Sequence, residues 1–139
     1  MEGLVPSTVA VEVGDLVYYA SDSVKPASSQ GNQTSKPLNQ SVFAGMFLGV
    51  AMQASPLGEE TSIPVATSGV FEFDCPSKTW ALGALVGIEE LPGRLGLENQ
   101  KVDAAVLAGG IGRVVRREPT PSDTVLVSIR SKIIDGGVV

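Results

Sequence analysis

Apolar and polar residues alternate along this chain in short bursts, with no sustained recurrence every three or four positions, which is the signature of half-buried strands rather than helices. Val9, Val11 and Val13 share one face of an extended segment, and Ala10 and Glu12 share the other. Gly14-Asp15 supplies turn chemistry before the apolar run at residues 16–19, so the pattern predicts a hairpin there. Residues 22–27 add a brief strand. Residues 28–40, SSQGNQTSKPLNQ, are polar and rich in turn formers and predict a surface loop. The stretch FAGMFLGVAMQAS that follows predicts a strand buried on both faces, with Gly45 and Gly49 marking close packing; a short helical turn at its start is the alternative.

In SIPVATSGVFEF, residues 62–73, Ile63, Val65 and Thr67 fall on one face and Phe71 and Phe73 on another, with Ser68-Gly69 between them. This predicts a second hairpin. Pro64 has no N–H to give a ladder, so its strand is expected at an edge or at a bulge. Runs at residues 85–88, 103–108, 112–115 and 124–130 complete the series, separated by DCPSKTW and the loop EELPGRLGLENQ. In the last run Val125, Val127 and Ile129 face one way, and Leu126, Ser128 and Arg130 the other. No amphipathic helix of three turns is expected. Eight to ten short strands, punctuated by 16 glycines and 9 prolines, predict an all-β fold, a compact β-sandwich or small β-barrel. A single domain over residues 1–139 is expected, with residues 1–7 either an extended N-terminal arm or a frayed terminus.

Composition narrows the chemistry. A chain of 139 residues that is 43% hydrophobic buries about two-thirds of its unfolded surface, so neither a metal nor a disulfide is needed to hold it. There is no histidine, and Cys75 is the sole cysteine. The commonest metal ligand, an internal disulfide and a serine-histidine-acid triad are therefore all absent, and no metal or cofactor is expected. The longest apolar run, residues 42–52, is too short to cross a bilayer, and the first fifteen residues lack the basic start and apolar centre of a signal peptide. A cytosolic or particle-bound setting is expected, with no membrane partner.

The glycine cluster AGGIGRV offers a phosphate cradle only superficially: Val115 stands where a dinucleotide fingerprint starting at Gly110 needs its last glycine, and a tight turn is the expectation. Glu72 and Asp74 share a strand face as a carboxylate pair would, but that is the wet side of a strand whose dry side holds Phe71 and Phe73. Cys75 has no histidine to activate it and is expected to be buried and idle. No catalytic residue is expected. Net charge is −5, yet residues 101–132 carry a local +3, leaving −8 for the rest. Arg113, Arg116 and Arg117 form the notable basic cluster, suited to bidentate contact with carboxylates. With only seven aromatic residues and no broad basic surface, nucleic acid is not the expected partner.

The order VEVGDLVYY, SVKPASS, FAGMFLGVAM, IPVATSGVFEF, ALGALVGI, AGGIGRVV and TVLVSI resembles the small head-decoration, or capsid cement, proteins of tailed bacteriophages, over most of residues 9–129. The resemblance implies a structural, non-enzymatic protein made in the host cytoplasm and carried on the outer surface of the virion capsid. There a homotrimer would grip the expanded head and bridge neighbouring subunits of the major capsid protein. The loops at residues 28–40 and at EELPGRLGLENQ are longer than in the shortest relatives. Contact candidates are Leu4, Val5 and Pro6 near the start, and Arg113, Arg116 and Arg117. The alternative is a carbohydrate- or host-surface-binding module, which predicts an exposed aromatic platform of Trp80 with Tyr18 or Tyr19. A hydrolase using Glu72 and Asp74 ranks third.

Overall fold

Glycine, proline and polar turn residues cut the chain into ten strands and two helices in the computed structural model, which describes residues 1–135. Residues 136–139, part of the expected single domain, lie outside the described residues. The first half holds β1 (Glu2–Val5), β2 (Leu16–Ala20), β3 (Ser23–Pro26), α1 (Lys36–Met46), β4 (Phe47–Ala51) and β5 (Thr61–Ala66), whose strands form an open sheet in the order β1-β5-β4-β2-β3. The second half holds β6 (Ser68–Trp80), β7 (Leu85–Glu90), β8 (Leu97–Ala104), β9 (Gly112–Val114), β10 (Glu118–Arg130) and the one-turn α2 (Lys132–Asp135). Its strands close a barrel in the order β10-β6-β8-β7-β9, with β6 and β8 parallel. The fold is all-β, as its alternation implies, with a small barrel as one of its two sheets.

Neither expected hairpin forms as the sequence suggests. Gly14, at φ 94°, does turn the chain, but the segment before it pairs elsewhere: Val11 bridges Ser55, and Val13 is exposed. The hairpin is instead β2-β3, turned at Ser21 and Asp22, both at positive φ, as a two-residue turn matched to strand twist requires. At Ser68-Gly69 the chain does not reverse onto itself but passes from one sheet to the other: β5 pairs with β1 and β4, whereas β6 pairs with β10 and β8. Pro64 consequently lies inside the sheet rather than at its edge. Its carbonyl accepts from Met52 N at 3.0 Å, but it has no donor to return, and the β4-β5 ladder stops there.

The polar segment at 28–40 is a loop only in part, because α1 begins at Lys36 and runs three turns. Ser35 caps it, accepting from Leu38 N at 3.3 Å, and Pro37 sits in the first turn where its missing N–H costs nothing. The predicted strand after it is accordingly half helix, up to Met46, and half β4. In the second half β6 runs through DCPSKTW, and β8 takes Leu97 to Gln100 from the expected EELPGRLGLENQ loop. The expected strand at 103–108 ends at Ala104 and gives way to a 3-10 turn at Leu107–Gly109.

Strands β2 and β4 are dry on both faces. Leu16, Tyr18, Phe47 and Val50 join Phe43 and Ala44 of α1 and the barrel interior, including Phe73, Trp80, Ile88, Val125, Val127 and Ile129. Val17, Leu48 and Ala51 face the other way, into a smaller core with Val5, Val24, Ile63 and Val65 inside the curl of the open sheet. The register slips between Val17↔Gly49 and Tyr18↔Phe47, a bulge that keeps Phe47 on the face of Tyr18. Gly49 permits that approach, since a Cβ there would lie 2.0 Å from the Ala66 carbonyl oxygen.

A polar seam fixes α1 to the barrel. Gln40 Nε2 donates to the carbonyls of Ile88 and Ala104, both at 3.1 Å, and Asn39 Nδ2 donates to Glu90 Oε2 at 2.6 Å. The glycine cluster opens in the expected turn between strands, at Leu107–Gly109, and serves this contact as well, because a Cβ on Gly109 would stand 2.8 Å from Gln40 Cβ. Lys36 Nζ pairs with Glu89 at 2.7 Å and Asp103 at 2.6 Å, and Lys78 also pairs with Asp103. Burial alone would raise the Asp103 carboxyl, but hydrogen bonds from Lys36, Lys78 and the Ala104 N–H hold it below the usual range. Burial likewise works to lower Lys36, and Asp103 and Glu89 hold it above its usual range.

Two outcomes follow from this packing. Gly49→Ala is expected to lower the unfolding free energy by about 1–3 kcal/mol by driving β4 from β5. Gly45→Ala, in open space on α1, is expected to raise it by about 0.5–1 kcal/mol; urea melts of the two variants distinguish a packing glycine from a dispensable one. In the seam, Asp103→Asn is expected to cost about 1–3 kcal/mol at neutral pH. The Asp103 contribution is complete above its ordinary value of 3.8 and disappears as pH falls through the depressed folded value. The Lys36 contribution is complete below 10.5 and disappears as pH rises through the raised folded value. Denaturation of both proteins across pH should therefore show the gap closing at both extremes; a gap independent of pH would refute the ion-pair account.

Candidate contact surface

The side chains with potential for chemistry are mostly spent inside the molecule. Glu72 and Asp74 stand exposed on the wet face of β6, as its alternation predicts, and the Glu72 carboxylate lies 3.7 Å from Arg116 Nη2. Cys75 is buried, its Sγ is 3.5 Å from the Ser122 carbonyl oxygen, and burial pushes its thiol up, away from the nucleophilic thiolate. Among the described residues no group of three or more metal-ligating side chains converges. A cavity of about 360 Å³ beside the start of α1 is bordered by Lys36, Pro37, Gln40, Asp103 and Val106, but its charged groups are those already paired in the seam. Among the described residues no helix is long and apolar enough to cross a membrane.

No aromatic platform forms among the described residues. Tyr18 and Trp80 are only 5% and 3% exposed, and the half-buried Tyr19 donates its hydroxyl to Asp22 at 3.2 Å. Both buried rings are core members, Tyr18 edge-on to Phe43 with centroids 6.1 Å apart.

The N-terminal contact candidates divide. Residues 2–5 are extended, but they are paired: β1 ladders along β5, from Glu2↔Pro64 to Val5↔Thr61. Alternation across β1 buries Val5 fully in the smaller core, so its side chain has no outward surface, while Leu4 faces solvent and Pro6 is half-buried.

The three arginines also differ. Arg116 is neutralised by its own chain, Nε donating to Glu118 at 3.1 Å with Glu72 near its other end. Arg117 is exposed and makes no ion pair among the described residues. Arg113, on β9, donates Nη1 to the Gly83 carbonyl oxygen at 2.9 Å. That bond ties the 81–84 loop to β9, alongside Gly83 N to Val114 O at 2.8 Å and Val114 N to Ala84 O at 2.9 Å. Arg113 lines a cleft of about 310 Å³ with Ser68, Gly69, Gly112, Ser128 and Arg130. Register explains the grouping: Ser128 is opposite Arg113 and Val70, and Arg130 is opposite Ser68. Alternation in 124–130 already places Ser128 and Arg130 on one outer face, but only the β9-β10 pairing brings Arg113 beside them.

Composition gave no sign of the apolar side chains left outside. Val70 is 54% exposed at one side of the cleft, and Leu82, next to the Arg113-bound Gly83, is 69% exposed. Leu38, Val106, Leu107, Ile133 and Ile134 are also outward.

No family model matches the chain, and no curated protein matches it by sequence. Among solved structures it is similar to the head fiber gp8.5 N base in bacteriophage phi29, at 11% sequence identity and a TM-score of 0.52. The match covers 93% of this chain and 92% of the other, so the two share one fold from end to end while their sequences have little in common.

Proposed function

We propose that this chain is a structural component of a tailed-phage head: a decoration protein on the outside of the expanded capsid, where, as a homotrimer, it binds the major capsid protein and stabilises contacts between neighbouring coat subunits. The observation that carries this reading is the fold held in common with a phage head-fiber base over nearly the whole of both chains. Two features of the molecule support it. Lys36 is paired with Glu89 and Asp103 in the seam, and two outward apolar side chains, Leu82 and Val70, are carried by the loop next to an anchored arginine and by the strand across β10 from it, which is the composition of a protein contact. The work is binding: a ligand that prefers the expanded shell shifts the equilibrium toward that shell by its differential affinity, and a trimer multiplies a weak contact through effective concentration.

Co-sedimentation with expanded and unexpanded shells of its phage tests this reading. Preferential binding to the expanded form is expected, with the bound shell gaining about 2.7 kcal/mol of stability at a free concentration one hundred times the dissociation constant. Equal failure to bind both forms would remove the proposal.

A further inference from the structure

Among the described residues, no carboxylate lines the cleft formed by β9, the end of β10 and the first residues of β6. Its walls are two arginines, two serines, Ile129 and the bare backbone of Gly69 and Gly112. Arg130 has a partner of its own, so the argument rests on Arg113. Among the described residues the Arg113 guanidinium makes one hydrogen bond, through Nη1 to Gly83, and that bond anchors the fork rather than consuming it. A guanidinium carries five N–H donors in a rigid plane, so most remain for a ligand, and a planar carboxylate matches them two at a time. The Ser68 hydroxyl, on β6, and the Ser128 hydroxyl, on β10, add short-range donors to the cleft lining.

Apolar surface flanks this charge on both sides. Leu82 is carried by the loop that Arg113 holds, and Val70 lies across β10 from Arg113, with Ser128 between them in the register. An anchored arginine between two exposed aliphatic side chains is the composition of an energetic centre in a protein interface. Gly112 keeps the strands close enough for the arrangement, since a Cβ there would stand 2.4 Å from the Ser128 carbonyl oxygen.

We propose that this cleft is a docking site for an acidic segment of a protein partner, Arg113 gripping a side-chain carboxylate in bidentate fashion while an adjacent apolar residue of the segment covers Leu82 or Val70. Charge complementarity selects the occupant: Arg113, which makes no ion pair among the described residues, attracts in a chain of net charge −5 a carboxylate that most of its surface repels. The identity of the partner as a capsid protein rests on the function proposed above; the chemistry of the cleft does not.

The test uses the isolated full chain. Nitrogen-15-labelled protein is titrated with acetyl-Leu-Glu-amide and, separately, with inorganic phosphate. The peptide is expected to shift the amides of Gly69, Gly83 and Gly112 saturably. Arg113→Gln is expected to weaken it about tenfold or more and Arg113→Lys by less, because lysine keeps the charge but loses the fork. Phosphate is expected to bind more weakly than the peptide, having no apolar neighbour to cover Leu82 or Val70. Shifts centred elsewhere, titrations unchanged in Arg113→Gln, or equal binding of phosphate and peptide would overturn the proposal. None of these readings involves a capsid shell, so loss of shell binding with an intact peptide site would count against the proposed function alone.

Discussion

Strands β2 and β4 give one face to the barrel and α1 and the other to the curl of the open sheet, and every other feature of the fold is fitted around that double burial. A sheet dry on both sides has no polar face to spend, so its residues are nearly all apolar, as the run Phe47–Ala51 illustrates. It also has no spare thickness. Gly49 against Ala66 and Gly112 against Ser128 are places where one methyl group would push paired strands apart, and Gly109 against Gln40 is one where it would push α1 from the barrel. Overpacking of this kind strains a close-packed interior quickly, because there are few voids to absorb a displaced atom.

Double burial creates a second demand. Helix α1 must lie against the barrel over β7 and β8, where carbonyl groups would otherwise lose water without gaining partners. Gln40 and Asn39 meet that demand with side-chain amides, and Lys36 neutralises two carboxylates that the same contact shields. These interactions add modest net stability. Their stronger effect is on geometry, since an amide that must reach two carbonyls at once tolerates little sliding.

Where a strand is half-buried, the sequence is legible, because side chains alternate between oil and water: Val125, Val127 and Ile129 point inward and Glu72 and Asp74 outward, as the period-2 pattern demands. Helix α1 was hidden because its pattern is mixed. Asn39 and Gln40 share its buried side with Phe43 and Ala44 while Leu38 and Gly45 look outward, so it reads as a polar loop running into an apolar strand. The local signal lay elsewhere, in Ser35 followed by Pro37. The passage between sheets at Ser68 was illegible for another reason: turn chemistry reports that a chain bends, and only tertiary packing decides which strand it meets next. The candidate cleft shared that fate. The arginine cluster drew attention, but the role of each member depends on long-range register, which pairs Arg116 with Glu72 and sets Arg113 beside Ser128.

A joint fixed in this way has a consequence for any contact made by both halves together. If the open sheet and the barrel could rock on each other, a surface gripped by one would leave the other searching a wide volume, and the effective concentration of the second contact would fall steeply. The seam removes that freedom before binding, so ordering the two halves costs nothing when a partner arrives. Arg113 gains in the same way: its bond to Gly83 holds both the guanidinium and the Leu82 loop in place, leaving less side-chain entropy to lose on contact. Stiffness at the centre of the molecule is therefore what would let weak contacts at its periphery add, and it is bought largely with glycines and amides rather than with a larger core.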